Sequence, residues 1–188
     1  EEIVEITTAT VGGAGCIYVY DGATSGLIRR VHSPKVTLSG QFGISVAGID
    51  DIDGDGYGDY IVGAHCEDSG GGPARMGQVY VFSGHMGSLL KRVTPTTPTL
   101  NGYFGYSLTA IPDLTNDGIP DFAVGTSHGS TVQVHNGATQ ALVYALTRPH
   151  RFGPDLEGMD DLDGDGFGDL AIAANPEAHI CSGATGSL

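Results

Sequence analysis

The amino-acid sequence predicts an all-β protein assembled from repeats of one antiparallel unit of four strands. Its 188 residues include 31 glycines and 9 prolines, a content that favours short strands joined by tight turns over long helices. Three blocks of sequence also align with one another, and they begin at Phe42, Phe104 and Phe152. Internal repeats of this kind are typical of proteins in which each unit buries its faces against its neighbours.

Each block opens with Phe-Gly and contains four runs typical of strands, the third of which alternates with a period of two. The predicted first and second strands are 44–49, 106–111, 60–64, 122–125 and 170–173. The predicted third and fourth strands are 17–20, 79–82, 132–135, 88–93 and 142–146. The N-terminal stretch 16–30 matches only the back half of the unit. Four short strands joined by tight turns form one antiparallel meander.

A meander of this size cannot bury both faces alone, so several must stack. The repeat spacings of 62 and 48 residues suit the blades of a β-propeller with loops of variable length. We therefore predict one repeat domain over 1–188 that holds about three and a half blades. The predicted divisions are a partial blade at 1–40 and blades at 41–98, 99–150 and 151–188.

The charge of the chain is concentrated in three short windows. The formal net charge is −14, from 22 acidic residues against 8 Lys and Arg, which argues against nucleic-acid binding. Eleven of the 22 acids fall in three nine-residue windows, a clustering that favours cation ligands over a solvating coat. No run of 18 apolar residues occurs, so the sequence predicts no membrane span.

Two of these windows carry aspartates at positions 1, 3, 5 and 9, separated by glycines. They are Asp51, Asp53, Asp55 and Asp59 in the first window, and Asp161, Asp163, Asp165 and Asp169 in the last. Four carboxylates so close together repel one another unless a hard cation lies between them, and Ca²⁺ takes six to eight oxygen ligands. Glycine at position 6 permits a sharp turn, and position 7 offers a backbone carbonyl from Tyr57 or Phe167.

The pattern is not an EF-hand, which needs a bidentate Glu at position 12 and flanking helices. Position 12 is Val62 in the first window and Ile172 in the last, and both lie in predicted strands. The acidic window is therefore expected to be a loop between two strands.

The middle window has the same frame with fewer charges: Asp113, Thr115, Asp117, Ile119 and Asp121 stand at positions 1, 3, 5, 7 and 9. Because Thr115 offers a neutral oxygen, we expect a weaker calcium site here, or one with an extra water. The alternative for all three windows is a loop closed by its own bonds between Asp side chains and backbone amides.

Phe-Gly followed by D-x-D-G-D-G-x-x-D and a strand ending in a Gly-Ala pattern resembles the FG-GAP repeat, which builds the seven-bladed propeller head of integrin α subunits. The strings VYVFSG and SGATGSL resemble bacterial and archaeal members in particular. The resemblance covers residues from about 12 to 188. The Gly-Ala-Pro part of the motif is only partly kept, at 63–65, 125–127 and 173–175. It implies that calcium is bound by the aspartates named above and by the carbonyls of Tyr57 and Phe167, with Thr115 as a departure.

The resemblance implies seven blades, whereas this sequence supplies about half that number. Two explanations remain open: the chain is a fragment, or two chains combine as a homodimer of about seven blades. We favour the homodimer, with the N-terminal half unit of one copy completing the last unit of another.

The functional hypothesis is a non-enzymatic, calcium-stabilised module for adhesion or for binding an extracellular protein or glycan. The sequence contains no HExxH, GxSxG or P-loop motif. The alternatives are the propeller portion of a secreted hydrolase or lyase and a purely structural repeat. The carboxylates lie together in one nine-residue loop, and this loop recurs in the sequence. Both facts argue against catalysis, because catalytic acids usually come from different strands. Loops of moderate affinity fill at millimolar calcium, which predicts an extracellular, cell-surface or periplasmic location.

Two further features carry less information. The insertion 66–77 contains three consecutive glycines at 70–72 and predicts a flexible, exposed loop, either functional or an unselected bulge. The three cysteines Cys16, Cys66 and Cys181 lack CxxC spacing, which allows one disulfide plus a thiol or three thiols, with plain packing favoured.

Overall fold

The computed structural model describes residues 12–68, 70, 72–127, 130–148 and 152–187. These residues form 13 β-strands and no helix, which confirms the predicted all-β class. No helix with the length and apolar character needed to cross a membrane occurs within these ranges.

The strands form four antiparallel sheets in chain order, each a meander in which consecutive strands pair. The first sheet contains β1 (Cys16–Tyr20) and β2 (Leu27–His32). The second contains β3 (Phe42–Ile49), β4 (Asp59–Ala64), β5 (Gln78–Phe82) and β6 (Leu89–Val93). The third contains β7 (Phe104–Ile111), β8 (Asp121–Thr126), β9 (Thr131–His135) and β10 (Leu142–Thr147). The fourth contains β11 (Leu156–Met159), β12 (Asp169–Ala173) and β13 (Ala178–Cys181).

Neighbouring sheets pack face to face, and an apolar core lies in each of the three seams between them. Ile17 of the first sheet packs with Phe42 and Tyr80 of the second. Between the second and third sheets the core includes Ile61, Val79, Val81, Phe104 and Phe122. Between the third and fourth sheets it includes Ala123, Val132, Phe152, Leu170 and Ile172. The alternation of side chains along each strand therefore fills both faces of the inner sheets.

This architecture of stacked four-stranded meanders is that of β-propeller blades, as predicted. Every predicted strand is present, with ends that differ from the prediction by no more than two residues. Within the described residues the fourth sheet has three strands and the first has two. The blade divisions at 40/41, 98/99 and 150/151 stay predictions, and residues 1–11 of the first lie outside the described ranges.

The insertion 66–77 is anchored at both ends, contrary to the expectation of a wholly exposed loop. Glu67 is fully buried and Met76 is 2% exposed, whereas Gly70 and Gly72 are exposed. The Gly77 amide donates to the Glu67 carbonyl at 2.9 Å, so the two ends of the insertion meet. Glycine content alone gave no sign of the buried acid.

All three cysteines are free thiols. Cys181 lies in the core between the third and fourth sheets, and burial raises the pKa of its thiol. Cys16 and Cys66 are partly exposed.

Candidate metal centres

Each acidic window forms the loop between the first and second strands of its sheet, as predicted. The loops span 51–59, 113–121 and 161–169, and we call them the first, middle and last acidic loops. In every case the position-9 aspartate is the first residue of the second strand: Asp59 on β4, Asp121 on β8 and Asp169 on β12. These three side chains are buried, whereas most of the remaining residues are exposed in the first and last loops and partly or fully buried in the middle loop.

The first acidic loop winds around the carboxylate of Asp51. Asp51 Oδ1 accepts from the Gly54 amide at 2.7 Å, and Oδ2 accepts from the Gly56 amide at 2.7 Å. Asp59 closes the loop, because its Oδ2 accepts from the Ile52 amide at 2.9 Å. One carboxylate oxygen from each of Asp51, Asp53 and Asp59 lies within 4.8 Å of the others. The fold thus converges carboxylates from positions 1, 3 and 9.

The last acidic loop repeats this geometry. Asp161 accepts from the amides of Gly164 at 2.6 Å and Gly166 at 2.9 Å. Oxygens of Asp161, Asp163 and Asp169 likewise gather within 4.8 Å of one another. Two loops separated by 110 positions in the sequence thus place the same three carboxylates together.

The position-5 aspartates are held by a residue that the sequence analysis did not identify. Ser83 Oγ donates to Asp55 Oδ2 at 3.4 Å, and Ser182 Oγ donates to Asp165 Oδ2 at 2.9 Å. Each serine directly follows the third strand of its sheet. The signal in the sequence is a Ser-Gly or Asn-Gly pair that recurs at 83–84, 136–137 and 182–183, which is also what a tight turn alone would require.

The position-9 aspartates also bind this turn. Asp59 Oδ1 accepts from the Gly84 amide at 2.9 Å, and Asp169 Oδ1 accepts from the Gly183 amide at 3.2 Å. The acidic loop is therefore joined to the far end of the third strand as well as to the two strands that it connects.

In the middle acidic loop Asp113 accepts from the Gly118 amide at 2.7 Å and Asp121 accepts from the Leu114 amide at 2.8 Å, so its backbone follows the same course. The side chains differ, because Thr115 replaces an aspartate and Asn136 replaces the serine after the third strand. The Asn136 amide group donates to Asp117 Oδ2 at 2.6 Å.

The pKa shifts follow these contacts. Backbone amide donors, Gly56 and Gly166 foremost, lower the pKa of Asp51 and of Asp161. Burial raises the pKa of Asp59 and of Asp121. A carboxylate held ionised at position 1 and a buried carboxylate at position 9 both favour a nearby positive charge.

The alternative hypothesis was a loop closed by its own hydrogen bonds between Asp side chains and backbone amides. Such bonds are present in all three loops. They do not exclude a cation, because each carboxylate oxygen has more than one lone pair. The donor set of the first and last loops fits a hard cation, since it consists of carboxylate oxygens. Ligation by the carbonyls of Tyr57, Ile119 and Phe167 stays a prediction.

Fold and loops together define a β-propeller protein whose blades carry a carboxylate-lined loop between their first and second strands. The FG-GAP repeat family matches residues 104–144. Integrin alpha-PS5 of Drosophila melanogaster is 30% identical over 191 aligned residues, which cover 92% of this chain and 19% of that protein. Integrin alpha-7 of Rattus norvegicus is 33% identical over 164, covering 75% and 14%. Integrin alpha-11 of Homo sapiens is 36% identical over 121, covering 59% and 10%.

The chain belongs to the FG-GAP repeat family and is integrin-like, as the sequence motifs indicated. It spans no more than about a fifth of the length of these relatives.

Proposed function

We propose that the chain is a calcium-binding propeller module in which the first and last acidic loops each hold one Ca²⁺. The observation that carries this proposal is the convergence of three aspartates from positions 1, 3 and 9 in both loops. Asp55 and Asp165 would add a carboxylate each, and Tyr57 and Phe167 a backbone carbonyl each. An oxygen-only donor set with several carboxylates favours Ca²⁺ over softer metals.

Calcium in these loops would stabilise the blade. Each loop joins the first two strands and, through Asp59 or Asp169, also the turn after the third strand. A cation there would offset the repulsion among carboxylates at a point where three strands meet. Sites of moderate affinity fill at the millimolar calcium found outside cells, which supports an extracellular, cell-surface or periplasmic location.

The module's role would be non-enzymatic binding of a protein or glycan, as in adhesion. The first strands β3, β7 and β11 lie side by side and flank a cleft of about 940 Å³. Exposed Asp50, Glu157 and Asp160 line this cleft, so a basic protein segment would be favoured there by charge complementarity. The aspartates of each site lie within one loop, and that loop recurs from blade to blade. This supports a structural role over the alternative of a hydrolase or lyase.

Calorimetric titration with calcium tests the metal sites, and we expect two ions per chain. Calcium at about 100 times the dissociation constant would stabilise the fold by about 2.7 kcal/mol per site. The melting temperature should therefore fall on addition of a chelator. Asp53→Asn should weaken one site, whereas the matched control Asp50→Asn, at an exposed acid beside the loop, should leave both unchanged. A melting temperature indifferent to chelator would contradict the proposal.

Self-association into a homodimer is the remaining part of the functional hypothesis. The first sheet aligns with the third and fourth strands of a complete blade, and the fourth sheet with the first three. Within the described residues, these two sheets together contain five strands, one more than the four of the complete sheets. A dimer would therefore have to join the faces of these sheets without merging them into one blade. Light scattering that returned only the monomer mass, with and without calcium, would rule it out.

A further inference from the structure

The middle acidic loop contains a side-chain amide where the other two loops have a hydroxyl. Asn136 directly follows β9 and is 8% exposed. Its Nδ2 donates two hydrogen bonds into the loop, to Thr115 Oγ1 at 2.7 Å and to Asp117 Oδ2 at 2.6 Å. One amide group thus bridges positions 3 and 5 of the loop.

The orientation of this amide is fixed from its other end. Asn136 Oδ1 accepts from the backbone amide of Thr139 at 2.6 Å and from its hydroxyl at 2.7 Å. A rotated amide would place its NH₂ group against the Thr139 backbone N–H and would lose that bond. The donor end of Asn136 therefore faces the acidic loop.

Thr115 extends the bridge to position 1. Its hydroxyl accepts from Asn136 and donates to Asp113 Oδ1 at 3.4 Å. A continuous set of hydrogen bonds thus connects positions 1, 3 and 5. In the first and last loops these positions hold three aspartates, which a cation would bridge.

The electrostatics agree with this geometry. The Asn136 donor is the foremost cause that lowers the pKa of Asp117. In the first and last loops the serine after the third strand donates to the position-5 aspartate, and its hydroxyl otherwise accepts from its own turn. Thr115 and Asn136 are thus two of the positions at which the middle loop differs from both others, and these two residues contact each other.

We propose that the Asn136 amide takes the place of a bound cation in the middle acidic loop, so that this loop closes without calcium and the chain binds two ions instead of three. An N–H group cannot ligate a cation, and turning the amide oxygen inward would break its bond from the Thr139 backbone. The inference rests on the proposed calcium function of the other two loops. It replaces the sequence-based prediction of a weaker third site.

The test converts the middle loop into the pattern of the other two with the double variant Thr115→Asp/Asn136→Ser. Calorimetry should give two calcium ions for the unmodified chain and three for the variant. The reciprocal variant Asp163→Thr/Ser182→Asn is the matched control and should leave one. Three ions in the unmodified chain, or two in the converted variant, would overturn the proposal.

A second measurement, made without metal, separates this inference from the proposed function. In chelator, hydrogen exchange at 113–121 should match that in calcium, whereas exchange at 51–59 and 161–169 should rise. Asn136→Ser alone should raise exchange at 113–121 by at least tenfold in chelator. If the unmodified chain binds no calcium, the proposed function fails, and the Asn136 result still decides whether the amide closes the loop. Unchanged exchange in Asn136→Ser would overturn it.

Discussion

The seam between the second and third sheets and the seam between the third and fourth sheets, here called the inner seams, each contain a hydrogen bond from a serine to a glycine carbonyl. The outward face of the fourth sheet lacks the residues for this bond. Between the second and third sheets, Ser45 Oγ donates to the Gly105 carbonyl at 2.7 Å. Between the third and fourth sheets, Ser107 Oγ donates to the Gly153 carbonyl at 2.7 Å. Each acceptor is the glycine of a Phe-Gly pair in the next repeat, so this motif connects successive blades.

A second glycine on the donor side leaves room for that carbonyl. A Cβ on Gly63 would lie 2.0 Å from the Gly105 oxygen, and a Cβ on Gly125 would lie 2.1 Å from the Gly153 oxygen. Each of these glycines pairs across its sheet with the donor serine, Ser45 or Ser107. Serine and glycine together therefore form a socket for the Phe-Gly carbonyl of the next repeat.

At the equivalent place on the fourth sheet, Asp155 replaces the serine and Ala173 replaces the glycine. The two are still partners, since the Ala173 amide donates to the Asp155 carbonyl at 2.9 Å. The Cβ of Ala173 occupies the space that the inner seams keep open. This difference indicates that Gly63 and Gly125 allow the backbones of neighbouring blades to approach each other closely.

The largest expected effect comes from filling an inner socket with Gly125→Ala. The new methyl group would overlap the Gly153 carbonyl, so the backbone of the fourth sheet must move away. We expect a loss of about 3 kcal/mol in the free energy of unfolding, at the upper end for overpacked cores. Chemical denaturation in calcium measures it.

Ala173→Gly is the matched control for this prediction, because it makes the reverse exchange at the equivalent position of the open face. It should cost no more than about 1 kcal/mol, the entropic cost of glycine in a strand. Equal losses in the two variants would show that the socket has no special role.

A smaller effect is expected from Ser107→Ala, which removes the donor and keeps the space. The Gly153 carbonyl would lose its hydroxyl partner in a buried seam, at a cost of about 1–2 kcal/mol. Ser45→Ala should cost less, since Ser45 is partly exposed whereas Ser107 is buried. Denaturation of both variants gives the order, and the opposite order would contradict a contribution that depends on burial.

Sequence reasoning predicted the features that are local in the chain. Strands and acidic loops follow from alternation and from carboxylates within nine residues, and both are placed correctly. The sockets could not be predicted in this way, because Ser45 and its acceptor Gly105 are 60 positions apart. The bridge from Asn136 to Thr115 spans 21 positions and depends on the fold of the third sheet. Glu67 was missed because its glycine-rich context resembles an exposed loop.

The first seam, between the first and second sheets, is stabilised by a different contact, which involves Glu67. Its carboxylate accepts from Ser33 Oγ at 2.6 Å and from the Tyr80 hydroxyl at 2.5 Å, and so connects the segment after β2 to β5. Burial raises the pKa of Glu67, and the two hydroxyl donors oppose the shift. The inner seams instead rely on neutral hydroxyl and carbonyl groups, which do not titrate in this range.

The smallest expected effect is that of Glu67→Gln, and it should depend on pH. Because the pKa is higher in the folded state than in the unfolded state, the stabilising contribution of Glu67 is present at low pH and is lost as the pH rises through the folded value. The variant with glutamine, which resembles the protonated acid, should therefore be more stable than the unmodified chain at pH 7 and equal to it near pH 4. Melting in chelator at both values removes the contribution of bound calcium, and Glu157→Gln at an exposed strand position is the matched control. The opposite outcome is a Glu67→Gln variant whose stability relative to the unmodified chain is lower at pH 7 than at pH 4. It would mean that the ionised carboxylate stabilises the first seam, because the two hydroxyl donors would then outweigh the cost of burial.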